Sequence, residues 1–163
     1  MSIFNLKSTK KASFSSILAI FALFFIISTQ MGCSKSSGVS EQDQIASFVK
    51  KSTVTYITDP SGLMYQIISE GSGTKPRATS TISATYKGTF LNGTVFDERN
   101  TPIEFPLNGV IQGWQIGLQK IAVGGEMKMI IPSALGYGPS DYNGIPGGSP
   151  LYFEVKLVSI KTY

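Results

Sequence analysis

Histidine is missing from the 163 residues, and cysteine occurs once, at Cys33. Without an imidazole, Ser-His and Cys-His nucleophilic chemistry is excluded, and with a single thiol so are the usual zinc sites. One cysteine also leaves no intrachain disulfide. No metal-ligand cluster and no internal repeat is visible, so no metal and no cofactor is expected. Basic character is also scarcer than the totals suggest. The whole chain carries 14 Lys and Arg against 10 Asp and Glu, a net charge of +4. Three of those lysines, Lys7, Lys10 and Lys11, lie in the first 33 residues; from Cys33 onward 11 basic groups face 10 acidic ones. No basic run or basic-aromatic stripe remains, so nucleic acid is not an expected partner.

What the front does have is an export pattern. The three lysines precede Ile17 to Ile27, an unbroken apolar run of 11 residues, and small and polar residues follow up to Gly32-Cys33. That order is a secretory signal peptide, residues 1–32. The run is short for a membrane span, which takes about 20 apolar residues; an uncleaved anchor is the alternative. Gln30-Met31-Gly32-Cys33 resembles a bacterial lipobox, with Gln30 where that pattern prefers Leu. The resemblance implies lipidation of Cys33 as the first mature residue and attachment to a lipid bilayer, each acyl CH₂ contributing about 0.8 kcal/mol. The expected location is the bacterial cell envelope, on the outer membrane facing the periplasm.

The 163 residues less a 32-residue leader leave 131, a size for one domain. Residues 33–39 read as lipidated cysteine and polar tether. Residues 40–60 read as a short helix and linker: Ser40 can cap a first turn with Asp43 three residues on, and Ile45, Phe48 and Val49 fall at helical spacing. One stripe of three apolar residues is small for a dimerisation helix, and a monomer is expected. From Gly62 the pattern turns to β. Leu63 to Ile68, Thr81 to Phe90, Met127 to Ile131 and Leu151 to Ile160 read as strands, the last closing the sheet. Asn92-Gly93 signals a turn; the Asn92-Gly93-Thr94 sequon is set aside because the leader is bacterial in type. Trp114, Gly117, Leu118 and Ile121 place one amphipathic helix over Gly113 to Val123, ended by Gly124-Gly125. Ala134 to Ser149, rich in Gly and Pro, reads as a long shaped loop. Strands on both sides of a single helix, without βαβ alternation, indicate an α+β fold with an antiparallel sheet.

Aromatic residues recur through the second half. The segments are Ala84-Thr85-Tyr86-Lys87-Gly88, Gly93-Thr94-Val95-Phe96-Asp97, Val110-Ile111-Gln112-Gly113-Trp114, Ala134-Leu135-Gly136-Tyr137-Gly138 and Leu151-Tyr152-Phe153-Glu154-Val155. Taken alone, Trp114, Phe96 and Phe153 are core residues, Tyr86 is strand packing, and Asp97-Glu98-Arg99 is a charged turn. Taken together, the five segments resemble the FK506-binding-protein (FKBP) family of peptidyl-prolyl cis-trans isomerases, from about Gly62 to Ile160. The resemblance implies a curved antiparallel sheet wrapped around one short helix, with the family domain at 61–163. It implies a pocket with Trp114 as floor, Tyr86, Phe96 and Phe153 as walls, and Val110 and Ile111 along one edge. The Ile111 N–H and the Tyr137 hydroxyl would bond substrate carbonyls. Asp97 would sit at the rim, held by the Tyr86 hydroxyl, and Ile145 would cover the ligand.

The implied partners are unfolded or Pro-containing polypeptides, with an FK506-like macrolide as a pocket ligand. Ile103 stands where the family commonly has an aromatic, which thins one wall, and Leu107-Asn108-Gly109-Val110 makes a shorter loop than in compact members. A non-catalytic chaperone or binding module using the same pocket is the alternative to an enzyme.

Overall fold

The computed structural model describes residues 38–161; the expected signal peptide, Cys33 and most of the tether lie outside the described residues. Within it, helix α1 spans Glu41–Lys51. Its cap is built as the spacing predicts: Ser40 accepts from the Asp43 N–H at 3.2 Å and donates to the Asp43 carboxylate at 2.6 Å. Acidic residues in the first turn and Lys50 and Lys51 in the last oppose the helix dipole correctly.

Six strands follow: β1 (Ile57–Thr58), β2 (Met64–Ser69), β3 (Thr81–Phe90), β4 (Val95–Pro106), β5 (Glu126–Ile131) and β6 (Leu151–Lys161). They form one antiparallel, curved sheet in the order β1-β2-β5-β6-β3-β4. Helix α2 (Gln112–Leu118) packs against its inner face. The α+β class and the wrapped helix stand as expected.

Three details differ from the sequence expectation. First, β6 does not close the sheet but lies in its middle, between β5 and β3. Leu151, Phe153, Val155 and Leu157 all point inward and are buried, the alternation of a strand covered on one face. Pro150 precedes its first residue, where a missing N–H costs no ladder bond. Second, the segment expected as a charged turn, Asp97-Glu98-Arg99, lies inside a 12-residue edge strand. Only one side of β4 is paired, with β3, so Pro102 and Pro106 and a register shift between Ala84 and Tyr86 are tolerated. Third, α2 stops at Leu118, short of Val123. Beyond it the chain docks on its neighbours instead of continuing the helix: Ala122 N–H donates to the Glu70 carbonyl at 2.8 Å and Gly124 N–H to that of Leu157 at 2.7 Å. Ile121 is still fully buried.

The inner face holds the core. Leu63, Ile82, Leu107, Leu118, Met127, Met129, Ile131 and Leu157 are sealed from solvent around α2. The helix lies flat on β5 because Gly113 leaves room: a Cβ there would stand 2.6 Å from the Ile131 side chain. Trp114, the next residue, faces the open end of the sheet.

Candidate active site

At that open end the inner face is not closed over, and a cavity of about 300 Å³ remains. Its lining includes Tyr86 from β3, Phe96, Asp97, Ile103 and Phe105 from β4, Val110 and Ile111 from the turn before α2, Trp114 from α2, Tyr137 and Tyr142 from the long loop, and Phe153 from β6. Trp114 is 4 % exposed and lies deepest, meeting Tyr86 and Phe153 edge to face at 5.0 and 5.3 Å. Phe96 meets Phe153 edge to face at 5.5 Å. Each such pair adds roughly 0.5–1.5 kcal/mol beyond the area it buries, so the floor is rigid as well as apolar. Alternation explains the convergence. On β3, Tyr86 and Gly88 face inward, and a Cβ on Gly88 would stand 2.7 Å from Phe153 and 2.8 Å from Phe96. Glycine at this position is what lets the two rings lie against the strand.

One carboxylate enters this apolar setting. The Tyr86 hydroxyl donates to the Asp97 carboxylate at 2.6 Å. Burial, then that bond, pushes the Tyr86 hydroxyl up to about 12, so it remains a neutral donor at any physiological pH. Arg99 stands 4.0 Å from the other Asp97 oxygen on the solvent side. Tyr137 is likewise raised, first by burial and then by Tyr142 and Asp97 nearby. The Tyr86 hydroxyl is fixed by its bond to Asp97. Ile111 ends in extended geometry just before α2, its carbonyl taken by the Trp114 and Gln115 N–H groups. Among the described residues no acceptor meets the Ile111 N–H, which leaves it available to a ligand carbonyl.

Nine of the ten residues singled out from the sequence for the pocket line one cavity: Tyr86, Phe96, Asp97, Ile103, Val110, Ile111, Trp114, Tyr137 and Phe153. Ile145 does not. It is 6 % exposed and packs in the core cluster, outside the lining of this cavity. The reason is a tight hairpin. Tyr142 and Ile145 exchange both backbone hydrogen bonds, at 2.9 and 2.8 Å, around Asn143 (φ 44) and Gly144 (φ 83). Two positive φ values make the two-residue turn that Asn-Gly favours. It turns Ile145 inward and leaves Tyr142 on the rim, stacked on Tyr137 at 4.7 Å. Three lining residues, Phe105, Gly109 and Tyr142, were missed in the sequence. Phe105 stands two residues beyond Ile103 on the same face of β4 and reaches Trp114 at 5.5 Å, so the wall beside Ile103 is aromatic after all. The period-two spacing of Ile103 and Phe105 was its signal, and Asn143-Gly144 was that of Tyr142.

Comparison with known proteins agrees with the fold. Residues 72–158, more than half of the chain, match the FKBP-type peptidyl-prolyl cis-trans isomerase family. The FKBP-type peptidyl-prolyl cis-trans isomerase FkpA of Escherichia coli is 42 % identical over 107 residues, covering 64 % of this chain and 40 % of that protein. FkpA of Aeromonas hydrophila is 40 % identical over 123 residues, covering 74 % of this chain and 45 % of that protein. The chain thus spans less than half the length of these relatives. The crystal structure of E. coli FkpA superposes with a TM-score of 0.71 at 34 % identity, over 93 % of this chain and 74 % of that one. A peptidyl-prolyl cis-trans isomerase from Pseudomonas syringae gives 0.67 at 26 % identity, over 75 % and 93 %. The chain belongs to the FKBP-type peptidyl-prolyl cis-trans isomerase family.

Proposed function

We propose that this protein is a peptidyl-prolyl cis-trans isomerase that acts on unfolded or Pro-containing polypeptides after export. The observation that carries the reading is an aromatic-lined pocket whose one carboxylate accepts a hydrogen bond from the Tyr86 hydroxyl. Rotation about an X-Pro bond breaks amide conjugation, and the barrier is about 18–20 kcal/mol. No bond is made or cleaved. The twisted amide has less charge separation than the planar one, so transfer from water into an apolar site favours the twisted state.

Each group then has a task suited to its place. Trp114 carries the proline ring, between Tyr86, Phe96, Phe105 and Phe153. The Ile111 N–H and the Tyr137 hydroxyl hold carbonyls on either side of the rotating bond, fixing one half of the peptide while the other turns. Val110 and Ile103 complete the apolar edge. Asp97 orients Tyr86 and faces the carbonyl carbon as its conjugation is lost. Tyr142, in the place expected for Ile145, forms the outer lip. An FK506-like macrolide would occupy the same floor.

Residues 1–32 would be removed, and lipid on Cys33 would tether the domain (61–163), through residues 33–60, to the outer membrane on its periplasmic side, as a monomer. Spontaneous prolyl isomerisation takes tens of seconds, which gives an exported chain reason to need it. The test is refolding of a protein limited by a cis-proline, with and without the chain from Val39 onward, which forms one compact unit. Acceleration that FK506 abolishes is expected. No acceleration from a folded sample would overturn the enzyme and favour a binding module.

A further inference from the structure

Helix α1 is hydrogen-bonded to the start of the pocket loop through Glu41. The loop begins with a single 3₁₀ turn, Ser133–Leu135, that has no side-chain cap of its own and is preceded by Pro132. Pro132 has no N–H, so the Ser133 N–H is the first donor of the turn needing a partner. Glu41, 92 positions earlier in the chain, supplies it: its carboxylate accepts from the Ser133 N–H and, at 2.9 Å, from the Ser133 hydroxyl. The Ser133 carbonyl in turn accepts from the Gly136 N–H at 3.0 Å and the Gly138 N–H at 2.9 Å. Those two glycines flank Tyr137. At the far end of α1 the Phe48 ring packs on Tyr152 of β6 at 5.2 Å, on the outer face of the sheet, which fixes the helix from which Glu41 projects. The loop has its own ties farther along, where Gly148 N–H meets the Gly138 carbonyl at 2.9 Å and Gly147 N–H meets Asp141 at 2.8 Å. At its start Glu41 is the side chain that caps it.

We propose that Glu41 is a positioning residue for the pocket: by capping the Ser133 turn it sets the placement of Tyr137, so that α1 is part of the catalytic unit and not only a spacer. The role rests on the isomerase reading of the pocket. It also rests on hydrogen bonding and not on charge, which separates two substitutions. Glu41→Ala removes both contacts. Glu41→Gln can keep both, its amide oxygen accepting from the Ser133 N–H and its amide nitrogen donating to the Ser133 hydroxyl.

The test uses the full-length chain in two measurements. The first is amide exchange at Gly136 and Gly138 without substrate, which reads the anchor whether or not the protein is an enzyme. Faster exchange at both in Glu41→Ala, with restoration in Glu41→Gln, is expected. The second is a double-mutant cycle with Tyr137→Phe on isomerisation. Glu41→Ala is expected to lower kcat/KM about fivefold, since small misplacement of a positioned group costs rate. Glu41→Gln should regain it, and Glu41→Ala should cost nothing more in the Tyr137→Phe background. Ser133→Ala, which spares the backbone contact, guards against undocking of α1 and should show a smaller loss, likewise absent beside Tyr137→Phe. Unchanged exchange at both glycines, or equal losses in both backgrounds, would overturn the assignment. A wild-type protein without isomerase activity would instead defeat the isomerase reading, and the exchange data would still decide the anchor.

Discussion

The two faces of the sheet are made by the same strands and have opposite characters. Along β6, Phe153, Val155 and Leu157 point inward and are buried, while Glu154 and Lys156 between them point outward and are exposed. The outer face is a lattice of ion pairs, Lys128 with Glu154 at 3.4 Å and Lys156 with Glu126 at 2.7 Å. Exposed pairs like these contribute about 0–1 kcal/mol each. A buried aliphatic or aromatic side chain on the inner face contributes roughly 1.5–3 kcal/mol. The contrast teaches where the site comes from. It is not a separate addition to the fold; it is the end of the apolar face that α2 leaves uncovered, so the rings that stabilise the protein also line the pocket.

If so, the largest effect should come from the residue shared most fully by core and pocket. Trp114→Ala should cost about 3–5 kcal/mol in urea unfolding and abolish acceleration of proline-limited refolding. Gly88→Ala comes next. Its methyl would press on Phe96 and Phe153, and overpacking of this kind costs about 1–3 kcal/mol. It should lower activity by pushing both rings into the cavity, and a crystal structure of the variant would show the shift.

Tyr86→Phe keeps the ring and removes the bond to Asp97, a loss of about 0.5–1.5 kcal/mol that should appear as a several-fold drop in kcat/KM with the fold intact. The same bond has a pH signature. Because the Tyr86 hydroxyl is raised to about 12 from 10.0, the folded state favours its neutral form. That stabilisation is complete below pH 10 and is lost as pH rises toward 12. Urea unfolding across that window should show the loss in the wild type and its absence in Tyr86→Phe.

The smallest effects belong to charged pairs away from the pocket. Lys156→Ala should change stability by less than about 1 kcal/mol, and less still in high salt. Asp59 carries a marked shift: its hydrogen bond with Lys120, at 2.7 Å, and then those from Ser61 lower it from 3.8 to about 2. Its contribution is present above pH 3.8 and disappears as pH falls through about 2, which acid unfolding of Asp59→Asn against the wild type would register.

The sequence made the inner face more legible than the rim. Tyr86, Trp114 and Phe153 sit in segments whose strand alternation or helical spacing is strong, and their type limits them to an apolar face. Strand β4 was hidden because an edge strand needs partners on one side only, and so accepts the charges and prolines that elsewhere mark a turn. Phe105 was hidden with it. The rim depends on the backbone of one loop: Asn143 and Gly144 decide that Tyr142 faces out and Ile145 in, and a hydrophobic pattern reports neither. The Glu41–Ser133 contact joins residues 92 positions apart, and no local spacing foreshadows it.

On the proposed reading, the pocket turns the X-Pro bond without moving a proton. Its most direct test is the rate of catalysed isomerisation in water and in deuterium oxide, after correction for the uncatalysed rate in each. A ratio near unity is expected, since rotation about the amide makes and breaks no bond. A ratio well above unity would mean that a proton moves in the rate-limiting step, and the account of a site acting by shape and low polarity would be wrong.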